Sequence, residues 1–422
     1  MPRKLIVSEM AENLIGSEII KLGAEINERI RHGERIFNYT IGDFDPKVFP
    51  IPDEFTEEII KAYKEKHTNY PAANGIIELR KAVSAFLVDK LDLKYSTDEI
   101  LITSGARPAI YAAYITLADP GDKIIFPVPS WNNNHYTHLS SGFPVMVETQ
   151  ADNNFMPTAA ELRPYIKDAT IIALCSPLNP TGTTFTREGL EEICDLILEE
   201  NSRRGADEKP LYLLYDQIYW VLCYGSTEHY NPVSLRPEMR DYTIYVDGMS
   251  KSFAATGVRV GWTFGPQPIM EKMKAILSHI GAWAPKAEQV AAARYLAQKD
   301  NIDRYLKNFK SSISARLEKF YQGFQDLKAE GHNVDAVAPQ AALYLTIRFD
   351  LKGKRTPDGD SLADTADITS YLLEQAGLAI VPFYAFGSSS DSTWYRLSVG
   401  TCTMTEIDEA MQNLRSALNR LS

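Results

Sequence analysis

From about residue 97 to residue 265, short apolar runs rich in β-branched residues alternate with stretches of helical periodicity. The runs are Ile100–Thr103, Lys123–Phe126, Val145–Glu148, Thr170–Cys175, Leu211–Tyr215, Thr243–Val246 and Gly261–Phe264. Strands of this length separated by helices predict a mostly parallel sheet covered on both faces. Between them, Arg187–Glu200 is a helix with Thr186 placed to cap its amino end and Glu188 in its first turn. Asn201–Pro210 is polar and turn-rich and reads as a surface loop. After Pro266 the texture changes to long helices, Ile269–Ile280, Ala287–Lys299 and Ile302–Glu330, the last long enough to link two lobes. A smaller α/β lobe follows: strand Ala342–Phe349, the charged loop Lys352–Asp360 as a solvated hairpin or crossover, helix Ala366–Ala376, strands Leu378–Val381 and Trp394–Val399, and a helix from Glu406. The first ~50 residues, whose helix Glu18–Arg31 ends ahead of the run GDFDPKVFPIP, are expected to fold against this lobe.

Composition narrows the function classes. Forty-four Lys and Arg stand against 55 Asp and Glu, a net charge of −11, which argues against a protein that neutralises nucleic-acid phosphates. The longest apolar runs fall far short of the ~20 residues a membrane-spanning helix needs. The start MPRKLIVSEMAENL lacks the apolar core of a signal peptide, so a cytoplasmic location is expected. Cys175, Cys194, Cys223 and Cys402 are scattered and read as buried thiols of a reducing compartment. His135 and His138 have a helical metal spacing but no third ligand, so no metal is expected; His67, His229 and His332 lie in polar context and read as solvated.

In open α/β sheets ligands bind beyond the carboxyl ends of the strands, and five such places carry unusual side chains. TSGARPA, Thr103–Ala109, opens a helix after a strand: small residues let N–H groups approach a phosphate, although a plain tight turn has the same composition. Trp131 follows a strand end and precedes Asn132, Asn133 and Asn134; it is a core residue or a ring platform. Asn179 is held between prolines in SPLNPTG, as a structural turn or as a fixed amide. Asp216 ends the run LYLLY, with Tyr219 three positions on; it is a helix N-cap or a charge facing a ligand cation. Lys251, flanked by Ser250, Ser252 and Phe253, precedes Arg259, framed by Gly257 and Gly261. A lysine without charged neighbours is solvated, or desolvated into a nucleophilic amine suited to a Schiff base. Together these side chains match the needs of pyridoxal phosphate: an amine for the aldehyde, a carboxylate for the pyridinium nitrogen, cations and N–H groups for the phosphate, and a ring to stack on.

With SK…GVRVGW (Lys251 to Trp262), NPTG (Asn179 to Gly182) and IGDFDP near residue 41 in the same order, the chain resembles the fold-type I pyridoxal-phosphate aminotransferases of class I/II, the aspartate aminotransferase group. The resemblance implies a three-layer α/β/α large domain with a seven-stranded sheet over residues 52–300, and a small domain from 1–51 and 301–422. It implies that Lys251 bonds the cofactor aldehyde and shuttles a proton, that Asp216 keeps the pyridine nitrogen protonated, and that Tyr219 and Asn179 hydrogen-bond the phenolic oxygen. Arg259, Ser250, Gly105 and the N–H groups of Ala106 and Arg107 would hold the phosphate, and Trp131 would stack on the ring. Arg396 would bind the substrate's α-carboxylate, the backbone of Gly42 would approach the substrate, and Trp131 and Asn179 would also bind it. Tyr70 would reach across a homodimer interface to the neighbour's phosphate. Arg107 stands where one branch of the family reads a distal carboxylate, so an aspartate-like substrate and a 2-oxo acid are expected. Two departures stand out: Gly248 replaces a phosphate-binding Ser, and Trp131 is followed by three asparagines where Pro-Asn-His is commoner. The same Schiff base also serves C–S lyases and decarboxylases, and a sensor module is a third reading; retention of Lys251, Tyr219 and Arg396 weighs against the last.

Overall fold

The computed structural model describes residues 6–14, 16 and 18–422. Its centre is a seven-stranded sheet: β1 Ile100–Thr103, β2 Lys123–Val128, β3 Phe143–Glu148, β4 Ala169–Cys175, β5 Tyr212–Asp216, β6 Thr243–Gly248 and β7 Gly261–Phe264. The spatial order is β1-β7-β6-β5-β4-β2-β3. Strand β7 runs antiparallel to both of its neighbours, and every other pairing is parallel.

Alternation along the strands explains the layers. Ile172 and Leu174 of β4 enter one apolar cluster, whereas Ile171 and Ala173 enter another on the opposite face. Leu213 and Leu214 of β5 divide in the same way, as do Tyr245 and Ile244 of β6. With side chains pointing to opposite faces at period two, a strand apolar at every position is covered on both sides. One cover contains helices Ile77–Leu91, Arg187–Arg203 and Lys286–Leu296; the other contains Ala106–Leu117 and Gln267–Ile280.

A second, antiparallel sheet orders Val381–Pro382, Trp394–Ser398, Tyr344–Phe349 and Val334–Ala336. Its register sets Thr346 opposite Arg396. The 31-residue helix Lys299–Ala329 runs from the first sheet's layer to this one. Residues 37–38 pair in parallel with 378–379, and Ile26 packs with Leu373 and Ala379, so the early chain lies against the late chain.

Several expected boundaries move for visible reasons. The run Leu378–Val381 divides between two sheets, Leu378–Ala379 against Phe37–Asn38 and Val381–Pro382 against the Arg396 strand. The strand expected from Ala342 begins at Tyr344, because Ala342 is in the left-handed region at φ 59°. The helix capped by Thr186, whose hydroxyl accepts from the Gly189 N–H at 3.1 Å, runs on to Arg203. Asn201 then pairs with the backbone of Leu211 through both ends of its amide. Two helices, Asp53–Lys64 and Ile77–Leu91, occupy a stretch to which the strand–helix pattern assigned nothing. The loop Lys352–Asp360 is a hairpin closed by the Arg355–Ser361 bridge. No helix among the described residues is long and apolar enough to cross a membrane.

Candidate active site

Parallel pairing brings the carboxyl ends of β2, β4, β5 and β6 to one edge, and the two antiparallel pairings of β7 turn β1 the same way; Cys175 lies beside Asp216, and Asp216 beside Val246. A cavity of about 560 Å³ opens there, closed from the other side by Gly42, Asp43, Tyr344 and Arg396. Of the residues singled out in the sequence, Gly42, Ala106, Arg107, Trp131, Asn179, Asp216, Tyr219, Ser250, Lys251, Arg259 and Arg396 line it.

Lys251 sits on the short helix Met249–Ser252 that follows β6. Its Nζ donates to the Gly42 carbonyl at 2.6 Å. Burial brings its pKa down to about 8; Asp43 opposes that shift, and Arg396, Arg107 and Arg259 add to it. The amine is thus largely cationic at neutral pH but loses its proton more readily than a surface lysine.

Asp216 closes β5. Its Oδ1 accepts the Ile218 N–H at 3.0 Å within a turn; no helix starts there, so the helix N-cap offered by the sequence is not formed, and no cation pairs with the carboxylate among the described residues. Burial raises its pKa to about 6. A carboxylate withdrawn from water needs a charged or donating partner, and the cavity is where one would bind.

Asn179 and Tyr219 meet over the same space, Asn179 Nδ2 donating to Tyr219 Oη at 3.5 Å. Arg396 is 2% exposed and faces no carboxylate among the described residues. Its Nη1 donates to Asn179 Oδ1 at 3.0 Å, its Nη2 to the Thr40 carbonyl at 2.5 Å, and its Nε is buried without a partner. A guanidinium held this way retains donor capacity for an anion.

At the other end of the cavity, Gly105 precedes helix Ala106–Leu117 with φ 81°, and any Cβ there would collide with the Arg259 guanidinium. Arg259, itself left-handed at φ 61°, donates to the carbonyls of Thr256 at 2.7 Å and Ser104 at 2.8 Å. Ser250 is buried beside it in the lining. Helix N–H groups, a guanidinium and a hydroxyl form an anion cradle. Gly248 leaves no room for the Ser of many relatives: a Cβ there would lie 2.7 Å from Gly261 Cα and 3.0 Å from the Val260 carbonyl. The missing hydroxyl is therefore a consequence of close packing between β6 and β7.

Trp131 lines the mouth, and the Arg107 guanidinium carbon lies 4.4 Å from its ring centroid. Tyr70 does not join the cavity; it is 80% exposed, its ring 5.2 Å from that of Trp283.

The structure corrects two expectations. His229 is not solvated: the residue is half-buried, its ring 6.1 Å from the Tyr215 ring and 6.3 Å from the Trp220 ring, with both nitrogens buried and unbonded and its pKa pressed down to about 3 by desolvation. Its polar sequence neighbours Glu228 and Tyr230 bond each other while the His ring turns inward. Cys175 is not fully buried: it opens onto the cavity, with Sγ 3.2 Å from the Pro177 carbonyl.

Three contributors escaped the sequence reading. Tyr344, whose hydroxyl is 2.8 Å from that of Tyr219, opens the strand YLTIRF; the need of a buried hydroxyl for a partner was the available signal. Asp43 adjoins the recognised Gly42. Asp247, wholly buried behind Asp216, accepts from Trp220 Nε1 at 2.9 Å, Gln217 Nε2 at 3.5 Å and the Gly248 N–H at 2.7 Å, so it ties the β5 turn to the start of the Lys251 segment.

The donor set fits pyridoxal phosphate: a lone carboxylate for a cationic ring nitrogen, an amine lowered to about 8, and an anion cradle at a helix start. The aminotransferase class I and II family matches residues 36–414. The aspartate aminotransferase of Rhizobium meliloti (strain 1021) is 29% identical over 409 residues, covering 96% of this chain and 94% of that protein. A probable aspartate/prephenate aminotransferase of Rickettsia felis is 30% identical, covering 89% and 88%. The crystal structure of the R. meliloti aspartate aminotransferase superimposes with a TM-score of 0.91 at 27% identity, covering 99% of this chain and 100% of that one. The Thermus thermophilus enzyme with maleate gives 0.86 at 25% identity, covering 98% and 100%. The chain therefore belongs to the class I and II aminotransferases and is a pyridoxal-phosphate-dependent enzyme.

Proposed function

We propose that the protein exchanges an amino group between an L-amino acid, aspartate or another dicarboxylate, and a 2-oxo acid, in two half-reactions that share one site. The observation that carries this is the opposition of Lys251 and Arg396 across one small space: Lys251 Nζ bonds the Gly42 carbonyl, and a Cβ on Gly42 would lie 3.4 Å from Arg396 Nη1. An α-amino acid presents an amine and a carboxylate at just such a short separation.

When bound, the cofactor supplies the aldehyde and the electron sink; the protein's residues supply the rest. Lys251 Nζ binds the cofactor and, once released, takes and returns the proton at the substrate's α-carbon, a task suited to an amine whose pKa is lowered to about 8. Asp216 holds the proton on the ring nitrogen, and Tyr219 and Asn179 direct hydrogen bonds at the phenolic oxygen. Arg259, Ser250, Gly105 and the N–H groups of Ala106 and Arg107 hold the phosphate, Trp131 flanks the ring, and Arg396 with Gly42 orients the α-carboxylate.

A dicarboxylic substrate is supported by Arg107, a cation at the cavity mouth with no ion-pair partner among the described residues, and by relatives named for aspartate, one solved with maleate. The exposed Tyr70, packed against the half-buried Trp283, suits a homodimer in which Tyr70 completes the neighbour's phosphate site. The reading includes a large unit over 52–300, a smaller one from 1–51 and 301–422, and a cytoplasmic location.

The test is to load the purified protein with pyridoxal phosphate and add single amino acids. Loss of the visible band with stoichiometric oxo acid, greatest for aspartate or glutamate, is expected. Pyruvate with ammonia, release of CO2, or no product from any amino acid would reject transamination.

A further inference from the structure

The hydroxyl of Tyr219 has a second buried phenol against it. Tyr219 Oη and Tyr344 Oη are 2.8 Å apart, and the rings meet edge to face with centroids 5.6 Å apart. The two residues are 4% and 1% exposed. Tyr344 packs against Arg396, whose guanidinium carbon lies 4.7 Å from its ring centroid, and sits so close to Gly42 that a Cβ there would come within 2.8 Å of its hydroxyl oxygen. Among the described residues, Tyr219 is the hydrogen-bond partner of the Tyr344 hydroxyl.

A phenol has one proton to donate and lone pairs with which to accept. If Tyr219 spends its proton on the cofactor's phenolic oxygen, as read above, the bond between the two tyrosines has a single direction: Tyr344 donates and Tyr219 accepts. The Asn179 amide also donates to Tyr219 Oη. A donor chain of this kind polarises its last member and strengthens the final hydrogen bond.

We propose that Tyr344 is a positioning residue that acts through Tyr219: by donating to Tyr219 Oη it aims the Tyr219 proton at the cofactor and makes that hydroxyl a stronger donor. The inference rests on the reading of Tyr219 given above. Arg396 and Cys175 are the other titratable groups that act on Tyr219, and Asp43, Arg107, Arg259 and Arg396 act on Lys251; all stay in place when only the Tyr344 oxygen is removed.

The measurement is the visible absorbance of the cofactor-loaded protein without substrate, titrated from about pH 5 to 10. Its midpoint reports loss of the proton shared between the Lys251 linkage and the cofactor's phenolic oxygen. A weaker donor leaves that oxygen more negative, so it holds the proton longer and the midpoint rises. For Tyr344→Phe the rise should be roughly half a pH unit, the scale of one neutral hydrogen bond, and smaller than for Tyr219→Phe. The double variant should titrate like Tyr219→Phe alone, because the relay has lost its middle member. Thermal melting of the loaded variants checks that each is folded. An unmoved midpoint in Tyr344→Phe, or a shift that adds fully in the double variant, overturns the proposal. So does a raised KM with an unmoved midpoint, which would make Tyr344 a direct substrate contact. If Tyr219→Phe itself leaves the midpoint unchanged, it is the Tyr219 reading that fails.

Discussion

Asp216 makes chemistry measurable as stability. Without cofactor its carboxyl has one backbone hydrogen bond and no cationic partner among the described residues, and burial lifts its pKa from 3.8 to about 6. The difference, 6 − 3.8 = 2.2, at about 1.36 kcal/mol for each tenfold change in proton affinity, gives about 3 kcal/mol. Between pH 3.8 and about 6 the native carboxyl binds more protons than the unfolded one. Stability therefore falls as pH rises through that window and stays lower above it. Asp216→Asn removes the ionisation. Its cofactor-free form should exceed the cofactor-free parent at pH 8 by up to about 3 kcal/mol, and the gap should close toward pH 4. Loss of the neighbouring negative charge also relieves Asp247, whose pKa is pushed to about 7 by burial and in part by Asp216. Loading the cofactor should reverse the order, since the carboxylate then faces a cationic ring nitrogen. Urea unfolding followed by tryptophan fluorescence, at pH 4 and pH 8, decides the matter. A variant no more stable than the parent at pH 8, or equally stabilised at both pH values, refutes the reasoning.

Gly248→Ser should lower the melting temperature, because its Cβ meets backbone at 2.7 Å and 3.0 Å rather than a movable side chain; an overpacking cost of about 1–3 kcal/mol is expected, and an unchanged melting curve rejects the packing account of this position. Arg107→Leu should reduce kcat/KM for aspartate by about 10- to 100-fold, the scale of one charge-assisted hydrogen bond, with far less effect on alanine. Equal losses for the two substrates would remove Arg107 from distal recognition.

Much of the site was legible because strand-to-helix turns are local. Pro180 after Asn179, the small residues around Gly105 and the uncharged flanks of Lys251 are marks left within a few positions of the chemistry, and Asn179, Ala106, Ser250 and Lys251 line the cavity. The misses share a cause. Helix Ile77–Leu91 buries one face, Leu79, Arg80, Val83, Phe86 and Leu87, but that face includes the charged Arg80 while the apolar Ile77 and Val88 are exposed on the other, so no clean apolar stripe announces it. Leu378–Val381 reads as one strand, yet its halves pair with segments near residues 37 and 396, which local alternation does not distinguish.

Sequence by itself determined the periods: alternating apolar runs that must be buried on both faces, and turn residues that place Asp216, Lys251 and Arg259 at strand ends. Tertiary structure decided which distant groups share a dielectric. The Thr346–Arg396 register brings Arg396 and Tyr344 over Tyr219, more than 100 positions away, and the inward turn of His229 sets its protonation against its polar neighbours in sequence. Burial and hydrogen bonding, which move pKa values and orient protons, arise from contacts across the fold, and chain-local patterns carry no record of them.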